Sequence, residues 1–360
     1  MNFFKQHRKL HIWLLTDLAL LTLYLLLRGN RTVMNILTQK VTQPLKRALG
    51  AACSLVELSV AEVIYVTAIA GGVLLLACAV RRLVEGPARL RALYRMVMGT
   101  ACTALTVYLA LTLLWGVNYY ADSFQDKSGI YGREASVEEL EELTVLFAQG
   151  VTRAADGVAR DENGLFAESR EDIFAASAGI YAGLYEEFPF LEQKDYLPKA
   201  LTFSEAFSAM DFTGFFFPFT GETNLNVHCP AAFLPSTIVH ELAHRRGIAS
   251  EQECNFLAVV GAIASDDPVY QYSGWLMGYV HVGNALYRAA PERWKEIRLG
   301  LPEEVQQDLR YNNAYWAAWE GPINDAASKA YDSFLKNYGD EDGVQSYGMV
   351  VDMLIAYYLD

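Results

Sequence analysis

The first third of the chain carries three long apolar stretches, at about 12–27, 63–80 and 96–117. Each approaches or exceeds the roughly 18 to 20 residues that cross a hydrocarbon core about 30 Å thick. We therefore predict three transmembrane helices in a membrane domain at 1–120. The first stretch is the shortest and contains Asp17, which a partner helix or snorkelling can accommodate near the start of a span.

Basic residues indicate the orientation of these helices. Lys5, Arg8 and Lys9 precede the first one, and five arginines lie between the second and the third (Arg81, Arg82, Arg89, Arg91 and Arg95). The positive-inside rule places both segments in the cytoplasm. The expectation is a multi-pass protein of the cell membrane with a cytoplasmic N-terminus and an extracytoplasmic domain at 121–360. The loop at 28–62 is also basic, which weakens the bias, and it could form an interfacial helix on anionic lipid.

The pattern after residue 120 is mostly that of helices. Ser136 and Glu139 have the spacing of a capping box that opens a helix. Further helices are predicted at about 170–188, 251–264, 269–289, 303–319, 326–336 and 344–359. A small β element is predicted at 212–219 and 224–227, where Phe-rich segments alternate with turn residues. Pro218 suits an edge strand, although a hairpin that faces the core fits the pattern equally well.

Charge is divided unevenly between the two parts of the chain. Residues 1–120 hold 13 Lys and Arg against 4 Asp and Glu, whereas the remainder holds 16 against 38. The second part therefore has a net charge of −22, against +9 for the first. Nucleic acid needs a basic face for its phosphates, so we expect no nucleic-acid partner.

The most specific motif is His240-Glu241-Leu242-Ala243-His244. Positions i and i+4 share one face of a helix, so both imidazoles can reach one Zn²⁺, and Glu241 lies beside the water that the metal activates. The alternative is a core helix whose two histidines are paired elsewhere. Pro235 and Ser236 before the motif and Gly247 after it are typical of helix boundaries.

A catalytic zinc ion takes three protein ligands and leaves a fourth position open. Two glutamates, Glu251 and Glu253, follow the motif closely. Glu253 also stands three residues after Ser250, which is the spacing of a structural capping box. Either carboxylate remains a candidate on spacing alone.

These residues resemble the zincin superfamily, and in particular its glutamate-ligand branch, the gluzincins. The resemblance implies that Glu251, at the start of the next helix, is the third ligand. It also implies that Asn255, four residues on, supports a ligand histidine, although Asn stands where an acidic residue is usual. Ser250 occupies the position of the third histidine of the metzincins, which argues against that branch.

A wider resemblance covers most of the chain. Residues 219–226, the HELAH segment with Glu251 to Asn255, and residues 343–348 are similar to an uncharacterised bacterial family of membrane-anchored zincin-like proteins, described only as a domain of unknown function. It implies a mainly α fold: three N-terminal transmembrane helices followed by a zincin-like α+β metallopeptidase domain. In zincins the strand before the active-site helix is an edge to which an extended substrate pairs.

The expected function is that of a membrane-anchored zinc metallopeptidase. His240, His244 and Glu251 would bind Zn²⁺, and Glu241 would act as the general base. Candidate donors to the oxyanion are His281, Tyr279, Tyr331 and Tyr347. The expected partners are a peptide or protein substrate, whose identity the sequence leaves open, and the lipid bilayer. The alternative is a non-catalytic zinc-binding membrane sensor or assembly factor.

Two cysteines flank the motif, Cys229 and Cys254. In an extracytoplasmic domain they could form a disulfide, and otherwise they pack as small apolar residues.

Overall fold

The computed structural model describes residues 3–85, 89–337 and 347–360, and most of them are helical. Three of the described helices are long and apolar enough to cross a membrane: Arg8–Leu27, Val60–Leu83 and Arg89–Leu114. All three coincide with predicted spans. The third helix ends at Leu114 rather than near residue 117, because a 3-10 turn at Gly116–Tyr120 follows Trp115.

The helices of the first part have these bounds: α1 Phe3–Gln6, α2 Arg8–Leu27, α3 Arg31–Leu37, α4 Gln43–Cys53, α5 Val60–Glu85 and α6 Arg89–Leu114. Helix α6 packs against both α2 and α5. Asp17 of α2 is buried, and its carboxylate accepts a hydrogen bond from the Thr106 hydroxyl of α6 at 2.7 Å. A partner helix therefore accommodates this acid inside the apolar segment.

The helices of the second part have these bounds: α7 Phe124–Ser128, α8 Val137–Ala154, α9 Arg170–Ala176, α10 Ser204–Ala209, α11 Leu234–Arg245, α12 Glu251–Ile263, α13 Pro268–Ala289, α14 Pro291–Leu299, α15 Glu303–Ala317, α16 Pro322–Asn337 and α17 Tyr347–Tyr358. The main core lies where α8, α11, α12, α13 and α17 pack together. The predicted capping box is present, since Ser136 and Glu139 cap each other's backbone at the start of α8.

Two sequence predictions of helices need correction. The helix predicted at 170–188 ends at Ala176, because Gly179 adopts the left-handed conformation (φ 86°) and the chain continues in a 3-10 turn. Helix α14 was not predicted; it begins at Pro291, whose ring suits the first turn of a new helix. The predicted start of the last helix, at Val344, lies outside the described residues.

The β element is a three-stranded sheet of β1 Lys199–Ala200, β2 Gly214–Phe217 and β3 Glu222–Leu225, in the order β1-β3-β2. Strand β3 is parallel to β1 and antiparallel to β2, and it begins two residues before the predicted segment. Within the sheet of described residues, β2 is an edge strand. Helix α11 packs against both β2 and β3, which brings the sheet next to the HELAH segment.

The loop between the first two spans is part of the folded second half. Glu62, at the start of α5, accepts hydrogen bonds from the backbone N–H groups of Thr202 and Phe203, both at 2.9 Å. Glu222 of β3 accepts in turn from the backbone of Val60 and Ala61. These buried carboxylates fix the end of α5 to the sheet.

Candidate metal centre

The HELAH segment lies on α11, which ends immediately after the motif. Gly247 has φ 89°, a conformation that favours glycine, and it turns the chain back within a few residues. The Ser250 hydroxyl then caps α12 by accepting from the backbone N–H of Glu253. This short connection returns Glu251, the first residue of α12, to the end of α11 that carries His244.

Three side chains converge at this point. The Nε2 atoms of His240 and His244 are 3.1 Å apart. The Glu251 carboxylate lies 3.2 Å from Nε2 of His240 and 3.3 Å from Nε2 of His244. All three residues are largely buried, with His240 and Glu251 retaining some exposure.

The outer nitrogen of each imidazole has an oxygen partner. Nδ1 of His240 lies 2.9 Å from Oδ1 of Asn255, and Nδ1 of His244 lies 2.9 Å from the carbonyl oxygen of Ile248. A carbonyl oxygen only accepts, so a neutral ring that donates from Nδ1 to these oxygens would present the lone pair of its Nε2 to the centre of the site. In that state two lone pairs and a carboxylate face one another, an arrangement that a metal cation between them would stabilise. The role implied for Asn255, to orient a ligand histidine, has its geometry in this contact.

The spacing of these donors fits zinc. Ligands bound tetrahedrally at about 2.0–2.2 Å lie about 3.3–3.5 Å from one another. The three distances between the Nε2 atoms and the carboxylate, 3.1, 3.2 and 3.3 Å, are close to that value. Two imidazoles and one carboxylate also form a set of donors that zinc commonly takes, and only the fourth corner remains for another ligand.

The two candidate glutamates lie in different surroundings. Glu253 is buried away from the imidazoles, and its two oxygens accept from the backbone N–H groups of Phe124 and Gln125, each at 3.0 Å. It therefore caps the start of α7. Of the pair, only Glu251 lies against the histidines. Burial opposes ionisation of Glu251, but the charge and hydrogen bonds of His244 and His240, when their rings are protonated, outweigh it and hold its pKa well below the usual value.

Cys254 is a further potential ligand close to the histidines, since the three residues lie within 4.8 Å of one another by their donor atoms. Its sulfur lies 3.2 Å from Nδ1 of His244, which is the nitrogen that already contacts Ile248. The sulfur thus lies on the Nδ1 side of the His244 ring, opposite its Nε2, and we assign it no metal. Cys229 and Cys254 are both free thiols in the structure.

Glu241 points from α11 towards the sheet. It is 4% exposed, and Oε2 has no hydrogen-bond partner among the described residues. Burial raises the pKa of Glu241 to about 8; the charge of His240 and a hydrogen bond from the Phe216 backbone oppose this effect, and the charge of Glu251 adds to it. A nearby dication would act in the opposite direction and favour the carboxylate.

The four candidate oxyanion donors are placed differently. The Tyr331 hydroxyl, on α16, donates to Oε1 of Glu251 at 2.5 Å, and burial raises its pKa well above the usual value, so it keeps its proton. His281 lies close enough to His240 for their charges to interact, and burial lowers its pKa to about 4. Tyr279 lies in the core beside Arg298 rather than at the histidines, because it is two residues from His281 on the same helix. The side chain of Tyr347 lies outside the described residues.

Sequence reasoning missed two residues beside the site. Trp115 directly follows the third span, and its ring lies edge-on to His244 with centroids 5.3 Å apart. Lys46 of α4 is buried, and its ammonium lies over the rings of Trp115 and Phe216 at 5.3 and 4.9 Å. A tryptophan at the end of a span is typical of an interface anchor, so no signal in the sequence pointed to this contact.

Arg246 and Asp195, which sequence reasoning also missed, fix the end of α11 by an ion pair. Arg246 is buried, stacks 3.7 Å from the centre of the Tyr181 ring, and pairs with Asp195 at 2.6 Å. The guanidinium also donates to the carbonyl oxygens of Leu191 and Leu242. These bonds tie the last turn of the HELAH helix to residues about 50 positions earlier.

Comparison with known proteins gives one family. The family model of DUF3810, a protein of unknown function, matches residues 38–355. No curated protein and no solved structure matches the chain. The matched range includes α4, two of the three apolar helices and every residue of the candidate metal centre.

Proposed function

The chain belongs to the DUF3810 family of proteins of unknown function, and from that premise we propose that it is a membrane-anchored zinc metallopeptidase. The observation that carries the proposal is the convergence of two Nε2 atoms and the Glu251 carboxylate on one point. A second buried carboxylate, Glu241, comes from the same helical turn.

His240, His244 and Glu251 would hold the metal. Bound zinc would supply a water activated at neutral pH and would polarise a carbonyl oxygen. Glu241 would accept a proton from that water at its free Oε2 and deliver it to the leaving amine. The burial of Glu241 suits this role, because excluded solvent strengthens its interaction with the charges that develop during the reaction.

Strand β2 offers a place for the substrate backbone. Thr213 and Asn226 form a hydrogen-bonded pair, so in an antiparallel ladder the backbone groups of Gly214 and Phe216 point away from β3. That edge lies beside Glu241, which already accepts a hydrogen bond from the Phe216 backbone, and a Cβ at Gly214 would lie 3.3 Å from the Glu241 Cγ. An extended peptide that pairs with this edge would lie next to the general base.

Tyr331 is the donor that we assign to the oxyanion. Its hydroxyl already reaches the oxygen of Glu251 that faces His244, and its high pKa keeps it a donor at neutral pH. When Glu251 binds a metal, the same hydroxyl would be close to a polarised carbonyl oxygen.

The proposal also places the site outside the cytoplasm. The support is the excess of arginine in the loop between the second and third spans. A C-terminal alkaline phosphatase fusion, which is active only outside the cytoplasm, should be active. An inactive fusion at normal expression would contradict this orientation.

The decisive test uses the full-length protein in detergent. Wild type should contain about one zinc per chain by metal analysis and should cleave members of a random peptide library. His240→Ala should lose both properties. Glu241→Gln should keep the zinc and lose about 10²–10⁴-fold in rate. Full activity of Glu241→Gln would refute the assigned role. Zinc binding without any cleavage would support the zinc-binding sensor or assembly factor instead.

A further inference from the structure

We propose that the substrates are themselves membrane-anchored polypeptides, cut in the extended segment that directly follows their own anchor. The inference rests on the proposed peptidase function. It adds the substrate class, which follows from the height of the site above the bilayer.

The third span sets that height. Twenty residues separate Arg95 from Trp115, which is a rise of about 30 Å in a helix and equals the thickness of the hydrocarbon core. With the arginine at one boundary, Trp115 lies at the other, where tryptophan is favoured. Its ring contacts His244 directly. The metal centre is therefore one aromatic ring away from the membrane boundary.

The second span places the outer edge of β2, where we propose that the substrate pairs, at the same height. Tyr65, in the second turn of α5, packs against Phe215 and Phe217 of β2 with ring centroids 6.3 and 5.1 Å apart. One turn closer to the start of α5, Glu62 binds the backbone of Thr202 and Phe203. Strand β2, whose outer edge lies beside Glu241, is thus at the level where α5 enters the bilayer.

Helix α4 has an outward face that suits the membrane interface. Its polar and small residues Gln43, Lys46 and Gly50 are buried against the rest of the protein. Leu45 in α4 is 41% exposed, and Leu55 just beyond it is 85% exposed. Arg47 is also exposed, so the outward face combines apolar side chains with one cation, which fits the boundary between acyl chains and lipid headgroups. Lipid on this side leaves the site at the bilayer surface.

The positions of Trp115, Tyr65 and α4 place the site at the membrane surface, and this height favours one class of substrate. A chain anchored in the same bilayer presents the residues after its anchor at the height of β2, and confinement to the membrane raises their local concentration there. An extended chain advances about 3.3–3.6 Å per residue, so only the first few residues beyond the anchor lie at that height. A peptide in solution gains neither advantage.

The test uses the full-length protein in phosphatidylcholine nanodiscs, which expose both membrane faces. The substrates are one random peptide library in four forms: free, or N-palmitoylated with a Gly/Ser spacer of 2, 10 or 25 residues. The palmitoylated forms partition into the disc alike, so differences among their cleavage rates report the distance of the peptide from the membrane rather than its concentration. Glu241→Gln is the control for contaminating proteases.

We expect the shortest spacer to be cut at least tenfold faster than the longest, with cuts close to the anchor, and the free library to be cut slowest. In detergent micelles, which lack a flat surface, the difference among spacers should shrink. Equal rates for the three spacers, or a free library cut as fast as the anchored ones, would overturn this inference alone. Absence of cleavage in every form, in discs and micelles, would refute the proposed peptidase and this inference with it.

Discussion

Asn255 shows how a residue outside the proposed ligand set would support the proposed metal centre. Its amide oxygen contacts Nδ1 of His240 at 2.9 Å and so fixes which nitrogen of the ring faces inward. Partners of this kind typically contribute a factor of 10–100 to metal affinity.

Asn255→Ala should therefore weaken zinc binding by about 10–100-fold, while Asn255→Asp should keep it, because a carboxylate also accepts from Nδ1. Competition with a chelator measures the affinity. Asp266→Ala, at an exposed position beyond α12, is the matched control. Wild-type affinity in Asn255→Ala would show that the contact has no effect on the metal.

Glu251 and Glu253 allow a sharper comparison, because they stand two residues apart on one helix with different partners. Glu251→Gln removes the carboxylate between the imidazoles, so zinc should be lost. Glu253→Gln weakens two buried backbone hydrogen bonds and should lower the free energy of unfolding by about 1–3 kcal/mol while leaving zinc bound. Zinc content and the thermal midpoint are measured for both; the opposite pattern would make Glu253 the ligand.

Some residues of the candidate site could be predicted from the sequence, and others could not. The i, i+4 spacing of His240 and His244 is local, so the helix alone brings the rings together. Glu251 needed only a four-residue turn that begins at Gly247, and the resemblance identified it. The choice against Glu253 was not predictable, since it depends on backbone groups near residue 124, which is far away in sequence.

At the scale of elements, α4 docks on the sheet through backbone contact. Gly50 and Gly221 meet so closely that a Cβ at Gly50 would lie 2.9 Å from the Gly221 carbonyl oxygen. This close fit buries Lys46, whose ammonium has no hydrogen-bond partner among the described residues. Burial, with Arg245 and Arg47 acting in the same direction, lowers its pKa to about 7.

A lowered pKa makes stability depend on pH. Between pH 7 and about 10.5 the unfolded chain holds the Lys46 proton and the folded chain does not, so the free energy of unfolding rises with pH. Below pH 7 both states are protonated and the contribution is constant at its lowest value. Lys46→Met should raise the thermal midpoint at pH 6.5 and flatten its rise up to pH 9.5. A wild-type slope that persists in the variant would assign the dependence to other groups.

The docking of α4 is also what sequence reasoning could least foresee. The length of the three apolar stretches predicted the spans, and periodicity predicted α8, α12 and α13, because a buried face repeats along such a helix. The contacts of Lys46 with Trp115 and Phe216 join three separate parts of the chain, and no local pattern encodes such a meeting.

At the scale of the whole molecule, the metal would link α11 and α12 beside the end of α6. A ligand that binds only the folded state raises stability by about 2.7 kcal/mol at a hundred times its dissociation constant. EDTA should therefore lower the thermal midpoint of the wild type, and added zinc should restore it. His240→Ala should not respond. An equal effect of EDTA on both proteins would point to a metal bound elsewhere.

The hydrogen bonds between Glu222 and the first residues of α5 have a consequence for where the protein can act. Severing the chain near residue 120 would leave the Glu222 carboxylate, 5% exposed, without these amide donors and would remove Trp115 from His244. A soluble fragment released by cleavage near residue 120 would therefore lose contacts that hold the candidate site, and we expect it to be inactive. The intact protein would work only on the membrane into which it was first inserted, and its reach would extend no farther than its own lateral diffusion.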